Sequence, residues 1–175
     1  PGEPSRYAGG VITGSAASVL DPPAWYEPLA RWIRGADTHG TPILGLCFGH
    51  QALAHTLCGP SSVVRRESIE LGWPEVVRAG SDPLFDPLPP RFRVFVSHRD
   101  DVAAGTPGIR VLAHSDVCAV HAMRLEGRPM WGVQYHAEMG QDESTALARE
   151  RAAQDGVDPA PFLEGSRDTR SLVAP

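Results

Sequence analysis

A cysteine flanked by glycines is the residue of this chain best placed to act as a nucleophile. Cys47 lies between Gly45 and Gly49, after the apolar residues 43–46 and before a segment that contains alanine and leucine. This order is typical of a strand, a tight turn and a helix, which is the arrangement that exposes the nucleophile of hydrolases with a Gly-x-Ser-x-Gly elbow. At a helix N-terminus, the unpaired N–H groups and the positive end of the helix dipole favour a thiolate. The same N–H groups can bind an oxyanion that develops on an attacked carbonyl.

A base, and a group to orient it, occur together much later in the chain. The apolar residues 131–135 predict a strand that ends at His136, and sites in open α/β sheets gather where parallel strands end. Glu138 lies two residues further on, so in an extended segment its carboxylate and the imidazole point to the same side. We therefore predict a catalytic triad of Cys47, His136 and Glu138, in which the imidazole takes the proton of the thiol.

The two motifs Gly45-x-Cys47-x-Gly49-x-Gln51 and Tyr135-His136-x-Glu138 resemble those of the class I (triad) glutamine amidotransferases. The family pattern has a proline where this chain has Ala137, a departure that affects backbone rigidity but removes no reactive group. The resemblance spans about residues 10–140. It implies hydrolysis of the side-chain amide of glutamine through a thioester on the cysteine, with release of glutamate and ammonia.

The resemblance also implies an oxyanion hole and a set of substrate contacts. Gly14 and Ser15 resemble the glycine-rich oxyanion strand of the family, where a backbone N–H would act together with the N–H of Phe48. By itself a Gly-Ser pair would indicate only an ordinary tight turn. The residues that the resemblance places around glutamine are Gln51, Ser97, His98, Arg99 and Asp100. Within the family, residues 70–73 and 97–101 are most similar to the glutaminase part of GMP synthase.

The remaining cysteines and histidines are interpreted as packing or surface residues, namely Cys58, Cys118, His39, His55, His114 and His121. A metal-binding module built from Cys47, His50, His55 and Cys58 is a rival interpretation of the same segment. On one helix, positions 47 and 58 lie about 16 Å apart at a rise of 1.5 Å per residue. One zinc ion with bonds of about 2.0–2.3 Å therefore cannot bind all four. We expect no metal and no cofactor.

The elements that must position these residues are short strands separated by loops, with helices mainly near the N-terminus. Strands are predicted at residues 10–14, 41–46, 63–66, 73–77, 92–96, 110–114, 118–124 and 131–135, and helices at residues 23–34, 48–57 and 138–154. Residues 97–100 are predicted to form a strand-to-loop junction. This order favours an α/β domain. The resemblance implies the flavodoxin-like class I amidotransferase fold, three layers with an open, mostly parallel sheet flanked by helices.

The domain organisation predicted from the sequence is simple except at the N-terminus. One domain is expected over residues 1–175, with a loosely held tail at residues 155–175. Members of the family open with a strand, a helix and a second strand before the segment that corresponds to residues 11–18, and this sequence has no room for them. We interpret the chain as truncated, because loss of a central strand would expose apolar edges on both of its neighbours.

Composition excludes several other classes of protein. The formal net charge of the 175 residues is −5 and basic residues are not clustered, so nucleic acid is not an expected partner. No apolar run approaches the roughly 18 residues of a membrane span. The chain opens without a basic and apolar leader, which favours a cytoplasmic location. Three cysteines, an odd and low number, argue for reduced thiols rather than a disulfide framework.

Three functions remain open at this stage. The chain has no Ser-Gly-Gly-x-Asp loop and no Walker loop, so it does not itself carry a synthetase that would use the ammonia. It either docks to a separate synthetase subunit or uses the same triad to hydrolyse γ-glutamyl amides or peptides. A third hypothesis is a non-catalytic relative that only binds a partner, although the complete Cys–His–Glu set argues against it.

Overall fold

The computed structural model describes residues 2–168 and shows an α/β fold in which helices flank a mixed sheet. The strands are β1 Gly10–Ile12, β2 Ile43–Leu46, β3 Val63–Gly72, β4 Glu75–Arg78, β5 Arg91–Arg93, β6 Val96–Val102, β7 Ile109–His114, β8 Ala122–Leu125 and β9 Met130–Val133. The helices are α1 Tyr26–His39, α2 Phe48–Cys58, α3 Gln141–Gln154 and α4 Ala160–Leu163. Among the described residues, no helix is long and apolar enough to span a membrane.

The main sheet has seven strands in the order β1-β2-β9-β8-β7-β4-β5. Strands β1, β2 and β9 are parallel, whereas the other pairings, β9–β8, β8–β7, β7–β4 and β4–β5, are antiparallel. The predicted α/β fold with flanking helices is confirmed, but the prediction that the sheet is mostly parallel is wrong. The connections explain the difference. A parallel pair needs a long crossover, which α1 supplies between β1 and β2, while a short turn at residues 126–129 suffices for the antiparallel pair β8–β9.

Strands β3 and β6 form a separate two-stranded antiparallel sheet. The predictions that a strand stops at residue 66 and that residues 97–100 begin a loop are wrong. Both segments are polar, so neither has the apolar pattern of a strand. Their charged side chains instead pair across the sheet: Arg65 pairs with Asp100, and Arg66 Nη1 lies 2.6 Å from Asp101 Oδ2.

The strand predicted over residues 118–124 is shorter in the structure and begins only at Ala122. The hydroxyl of Ser115 accepts hydrogen bonds from the backbone N–H groups of Val117 and Cys118, at 3.3 and 3.1 Å. These bonds hold the preceding residues in a turn, so they cannot join the sheet.

Helix α2 lies in the centre of the core. Every residue from Phe48 to Ala54 is buried, as expected for a helix enclosed on more than one side. The helix contacts β1, β2 and β9 as well as α1. The residue that precedes it, Cys47, is therefore held between the parallel strands and a rigid helix.

Strand β1 lies at one end of the sheet order, and Val11 on it is 61% exposed. The truncation inferred from the sequence stays a prediction. So does the loosely held tail over residues 155–175, of which residues 169–175 lie outside the described part.

Candidate active site

Cys47 has an unusual backbone conformation at the junction of β2 and α2. Its φ and ψ are 48° and −101°, and among the described residues it is the only non-glycine residue with positive φ. Conformations of this kind cost on the order of 1–3 kcal/mol and persist only where the surroundings maintain them. Here the N–H of Cys47 donates to the carbonyl of Val133 at 2.8 Å, and the carbonyl of Cys47 accepts from the N–H of Gln51 at 3.2 Å.

The glycines on either side of the cysteine are required by close backbone contacts. A Cβ atom on Gly45 would lie 2.5 Å from the carbonyl carbon of Gly49. A Cβ atom on Gly49 would lie 2.2 Å from the carbonyl oxygen of Ile12, well inside any permitted contact. The turn at Cys47 is therefore tight enough to exclude side chains at both positions.

The structure brings the three predicted triad residues together. Nδ1 of His136 lies 2.7 Å from Oε1 of Glu138, and the imidazole also hydrogen-bonds to the side chain of Cys47. Because Nδ1 faces the carboxylate, Nε2 is left to face the thiol. The backbone N–H of His136 donates to the carbonyl of Phe95 at 2.9 Å, which fixes the segment that carries the imidazole.

The ionisation of His136 reflects these two partners. Burial acts to lower the pKa of His136, but the hydrogen bonds and charges of Cys47 and Glu138 outweigh it and raise the pKa to about 10. Burial acts to raise the pKa of Glu138, and its hydrogen bond to His136 outweighs that effect and lowers it. The resting site therefore favours a protonated imidazole beside an ionised carboxylate.

The predicted oxyanion residues lie around the same sulfur. A Cβ atom on Gly14 would be 2.9 Å from Cε1 of His136 and 3.6 Å from Cβ of Cys47, so the backbone of this loop passes directly beside the pair. Ser15 lines the same pocket as Cys47. Phe48 is the first residue of α2, and the first N–H groups of a helix have no partner within it. The geometry allows both backbone segments to face a developing oxyanion.

A polar pocket of about 200 Å³ opens above Cys47, which is itself only 5% exposed. Its lining comes from the loop after β1, the start of α2, strands β3 and β6, and the end of α3: Ser15, Ala16, Ala17, Ser18, Cys47, Gln51, Arg65, Ile69, Ser97, His98, Arg99, Asp100, Arg151, Gln154 and Asp155. The nucleophile thus lies at the base of a small cavity that carries charges of both signs.

The predicted substrate residues on β6 have different environments. The carbonyl of Ser97 lies 3.9 Å from Sγ of Cys47. Asp100 is buried, and its carboxylate accepts from Ser18 Oγ at 2.5 Å and pairs with Arg65. Arg99 points to the rim of the pocket, where its guanidinium pairs with Asp155 at 2.5 Å.

The side chains of Gln51 and His98 are directed into the protein. The amide nitrogen of Gln51 donates to the carbonyl of Asp100 at 2.7 Å and to Oε1 of Gln134 at 3.1 Å. The imidazole of His98 lies 3.0 Å from the carboxylate of Glu70, and this side chain is only 1% exposed. Both side chains therefore position β6, and their direct contact with a substrate stays a prediction.

A family model described as "Glutamine amidotransferase class-I" matches residues 6–152, which is most of the chain and includes every site residue predicted from the sequence. This chain belongs to the class-I glutamine amidotransferase family.

Individual members of the family are similar to this chain over different lengths. A glutamine-hydrolysing GMP synthase subunit of Thermococcus kodakarensis is 39% identical over 110 residues, which cover 63% of this chain and 57% of that protein. The chain therefore spans little more than half the length of this curated relative. Among solved structures, a glutamine amidotransferase from Methylobacillus flagellatus has a TM-score of 0.75 at 25% identity, covering 98% of this chain and 71% of the other. One from Thermotoga maritima has a TM-score of 0.74 at 22% identity, covering 89% and 69%, and shows the shared fold alone.

Three residues of the candidate site were not singled out from the sequence. Gln134 donates to Sγ of Cys47 at 3.6 Å, and its place two residues before His136 on an extended segment was a usable signal. Ser18 and Arg65 meet at Asp100, with Arg65 Nη2 2.9 Å from Ser18 Oγ. No local pattern indicates that contact, because it depends on the register of β3 against β6.

The structure does not bring the residues of the rival metal module around Cys47 together. Nε2 of His50 lies 3.1 Å from the carbonyl of Val120, and burial lowers the pKa of this imidazole to about 3. Nδ1 of His55 lies 2.8 Å from the hydroxyl of Tyr26. Both imidazoles are used in packing contacts rather than directed toward Cys47.

Proposed function

We propose that this chain hydrolyses the side-chain amide of glutamine through a cysteine thioester. The observation that carries the proposal is the contact of Cys47, at a strained strand-to-helix turn, with the His136–Glu138 pair at the base of a polar pocket. Membership of the class-I glutamine amidotransferase family supports the same chemistry.

In the resting site the proton of Cys47 is held by His136, and the reaction begins when the thiolate attacks the amide carbon of glutamine. The oxygen of the tetrahedral intermediate is stabilised by backbone N–H groups at Phe48 and at the loop of Gly14 and Ser15. His136 then gives its proton to the leaving nitrogen, ammonia departs and a thioester remains. Water, deprotonated by the same imidazole, attacks the thioester and releases glutamate and the thiolate, which restores the resting pair of thiolate and protonated imidazole. Glu138 orients the imidazole throughout and stabilises its charged form.

The far end of the pocket fits the charged end of an amino acid. The carboxylate of Asp100 is suited to an α-ammonium group, and the half-exposed guanidinium of Arg65 is suited to an α-carboxylate. A cavity of about 200 Å³ is smaller than the usual range of ligand sites, about 300–1,000 Å³, and so favours a free amino acid over a peptide.

The ammonia would be used by a separate synthetase subunit. The curated relative from Thermococcus kodakarensis is named as one subunit of a glutamine-hydrolysing GMP synthase. By that likeness, the second subunit of a GMP synthase is the acceptor we propose. Hydrolysis of other γ-glutamyl amides with the same triad is the alternative.

Release of ammonia and glutamate from glutamine tests the proposal, with γ-glutamyl amides and peptides compared in parallel. We expect the Cys47→Ala variant to lose all release. A chloroketone analogue of glutamine should add once to the wild-type chain and not to that variant, as seen by intact mass. Cys58→Ala is the matched control, because this thiol is half-buried at the other end of α2. Normal turnover in Cys47→Ala would refute the proposal, and faster turnover of γ-glutamyl peptides than of glutamine would favour the alternative.

A further inference from the structure

Four buried side chains behind the pocket form a cluster that the glutaminase chemistry does not use. Glu70 on β3, His98 on β6, Cys118 and His121 each offer one ligand atom, and these atoms all lie within 4.8 Å of one another. Carboxylate, imidazole and thiolate groups are the ligands that proteins use for zinc. In tetrahedral zinc with bonds of about 2.0–2.3 Å, ligand atoms are about 3.3–3.8 Å apart, so the cluster needs to contract by only about 1 Å.

The cluster is closed to solvent. The side chains of His98 and His121 are 1% and 0% exposed, that of Glu70 is 7% exposed, and Cys118 as a residue is 1% exposed. Buried charged groups of this kind are normally paired with hydrogen-bond partners or with a metal.

Several polar atoms of the cluster lack the hydrogen bonds that burial demands. Both carboxylate oxygens of Glu70, Nε2 of His98 and Nδ1 of His121 are buried without a hydrogen-bond partner. The nearest charged contacts are ion pairs: Nε2 of His98 is 3.0 Å from Glu70 Oε2, and Nε2 of His121, which also lies 3.0 Å from Ser115 Oγ, is 3.4 Å from Glu70 Oε1. A buried polar group without a partner is unfavourable, so the arrangement needs either a proton or a bound ion.

The surroundings resemble the outer shell of a metal site. Nδ1 of His98 lies 3.2 Å from the backbone carbonyl of Asp100 and 3.1 Å from Oδ1 of Asp101, contacts that orient the ring and leave Nε2 to bind an ion. Asp101 in turn pairs with Arg66 at 2.6 Å. The negative charges are those of the Glu70 and Asp101 carboxylates and of a thiolate at Cys118. A divalent ion together with the guanidinium of Arg66 would balance them. Without an ion, only a protonated imidazole could balance them.

We propose that Glu70, His98, Cys118 and His121 form a structural zinc site. The four protein ligands leave no open position for water or substrate, which is the pattern of structural rather than catalytic zinc. The ion would join β3, β6 and the segment before β8, and so support the strand that carries Ser97 and Asp100 to the pocket. This site is separate from the metal module considered around Cys47, and it departs from the expectation that the chain binds no metal.

Metal analysis of the purified chain, expressed with added zinc, tests the inference. We expect one zinc ion per chain in the wild type and background content in Cys118→Ser and His121→Ala. Cys58→Ser and His114→Ala are matched controls that should keep the ion, because both side chains lie outside the cluster. Zinc below a tenth of an ion per chain in the wild type, or full content in Cys118→Ser, would overturn the proposal.

A second measurement keeps the proposal testable if the ligand variants fold poorly, because it is made mainly on the wild type. Cobalt added to the metal-free wild type should produce a thiolate-to-cobalt absorption band and tetrahedral d–d bands, and the Cys58→Ser control should give the same spectrum. Zinc should raise the thermal unfolding midpoint of these two proteins and leave that of Cys118→Ser unchanged. The absence of any cobalt spectrum in a folded wild-type chain would mean that a protonated imidazole alone neutralises the cluster. Neither measurement depends on glutamine hydrolysis, so the two proposals can fail separately.

Discussion

Cys47 holds a strained backbone conformation that places its sulfur between a helix N-terminus and an imidazole. The strain is maintained by the contact of its N–H with Val133 and by the close approach of Gly49 to Ile12. The side-chain amide of Gln134 also donates a hydrogen bond to Sγ of Cys47, so the sulfur has a further donor besides the N–H groups of the helix N-terminus. The position of the Cys47 sulfur is therefore set by a few fixed contacts, and the thiol does not need to be widely exposed to solvent.

Glu138→Gln tests how the imidazole is held in its charged form. Cys47 and Glu138 together raise the pKa of His136 from 6.5 to about 10, so removing one negative charge should bring it down. A raised pKa contributes stability that is fully present below pH 6.5 and is lost as the pH rises through about 10. We therefore expect the alkaline limb of kcat/KM to move to lower pH in the variant. Its free energy of unfolding should also fall less steeply than that of the wild type between neutral pH and pH 10.

The measurement is a pH series of glutamine turnover and of urea unfolding for both proteins. Glu126→Gln, in the exposed turn between β8 and β9, is the control and should behave like the wild type. Superimposable alkaline limbs for wild type and Glu138→Gln would contradict the assigned role of the carboxylate.

Arg65→Ala tests the charged end of the pocket. Its guanidinium is half-exposed and contacts both Asp100 and Ser18, so its loss removes a cation that can bind the α-carboxylate of glutamine. Hydrogen bonds to charged groups contribute about 1.5–3 kcal/mol, which corresponds to an increase in KM of roughly ten- to a hundredfold. Because the residue is remote from the reacting amide, kcat should change much less. Steady-state kinetics with Arg91→Ala as control, a surface residue paired with Glu75, would separate these effects, and a loss confined to kcat would argue against substrate binding by Arg65.

At the scale of elements, the strand–turn–helix around Cys47 was predictable because all of its signals are local. The signals lie close together in sequence: the apolar residues 43–46, the two glycines beside Cys47, and the Gly59-Pro60 pair that stops the helix. That pair predicted the end of the helix to within one residue. Strands β3 and β6 were only partly predictable. Their polar segments become regular through pairing with each other, as between Arg65 and Asp100, and a single segment carries no sign of its partner. The same long-range pairing places Glu70 opposite His98, so the buried cluster could not be predicted from either segment alone.

Gly49→Ala tests the packing of α2 against β1. The new methyl group would lie 2.2 Å from the carbonyl oxygen of Ile12, so either the helix or the edge strand must move. Overpacking of this kind typically costs about 1–3 kcal/mol and sometimes more, and we expect the upper end because the obstacle is backbone. Gly105→Ala is the control, since its Cβ meets nothing within 4 Å and the only penalty is that of a left-handed residue, about 1–2 kcal/mol. Urea unfolding should rank Gly49→Ala as the less stable variant, and glutamine turnover should fall only in that protein. Equal stabilities would show that the elbow is less tightly packed than the structure indicates.

At the scale of the whole molecule, three adjacent parallel strands deliver the three parts of the candidate site to one edge of the sheet. The oxyanion loop at Gly14 follows β1, Cys47 follows β2 and His136 follows β9, and these strands are neighbours in the order β1-β2-β9. This agrees with the general location of sites at the carboxyl ends of strands in α/β sheets. The sequence indicated each strand end, but not that β9 joins β2 after the intervening strands. That adjacency depends on the complete fold.

The last prediction concerns the protein that would receive the ammonia. An enzyme that supplies ammonia to a synthetase gains nothing from hydrolysing glutamine alone, so we expect slow turnover by the isolated chain. Adding the second GMP synthase subunit from the same organism, with its substrates other than glutamine, should raise kcat/KM at least tenfold, equivalent to about 1.4 kcal/mol of coupling between the sites. Ammonia labelled from the amide of glutamine should then appear in the nucleotide product, and Cys47→Ala should abolish the transfer while added ammonium salt still supports synthesis. A high rate in isolation that the second subunit leaves unchanged would instead identify a hydrolase that works without an acceptor.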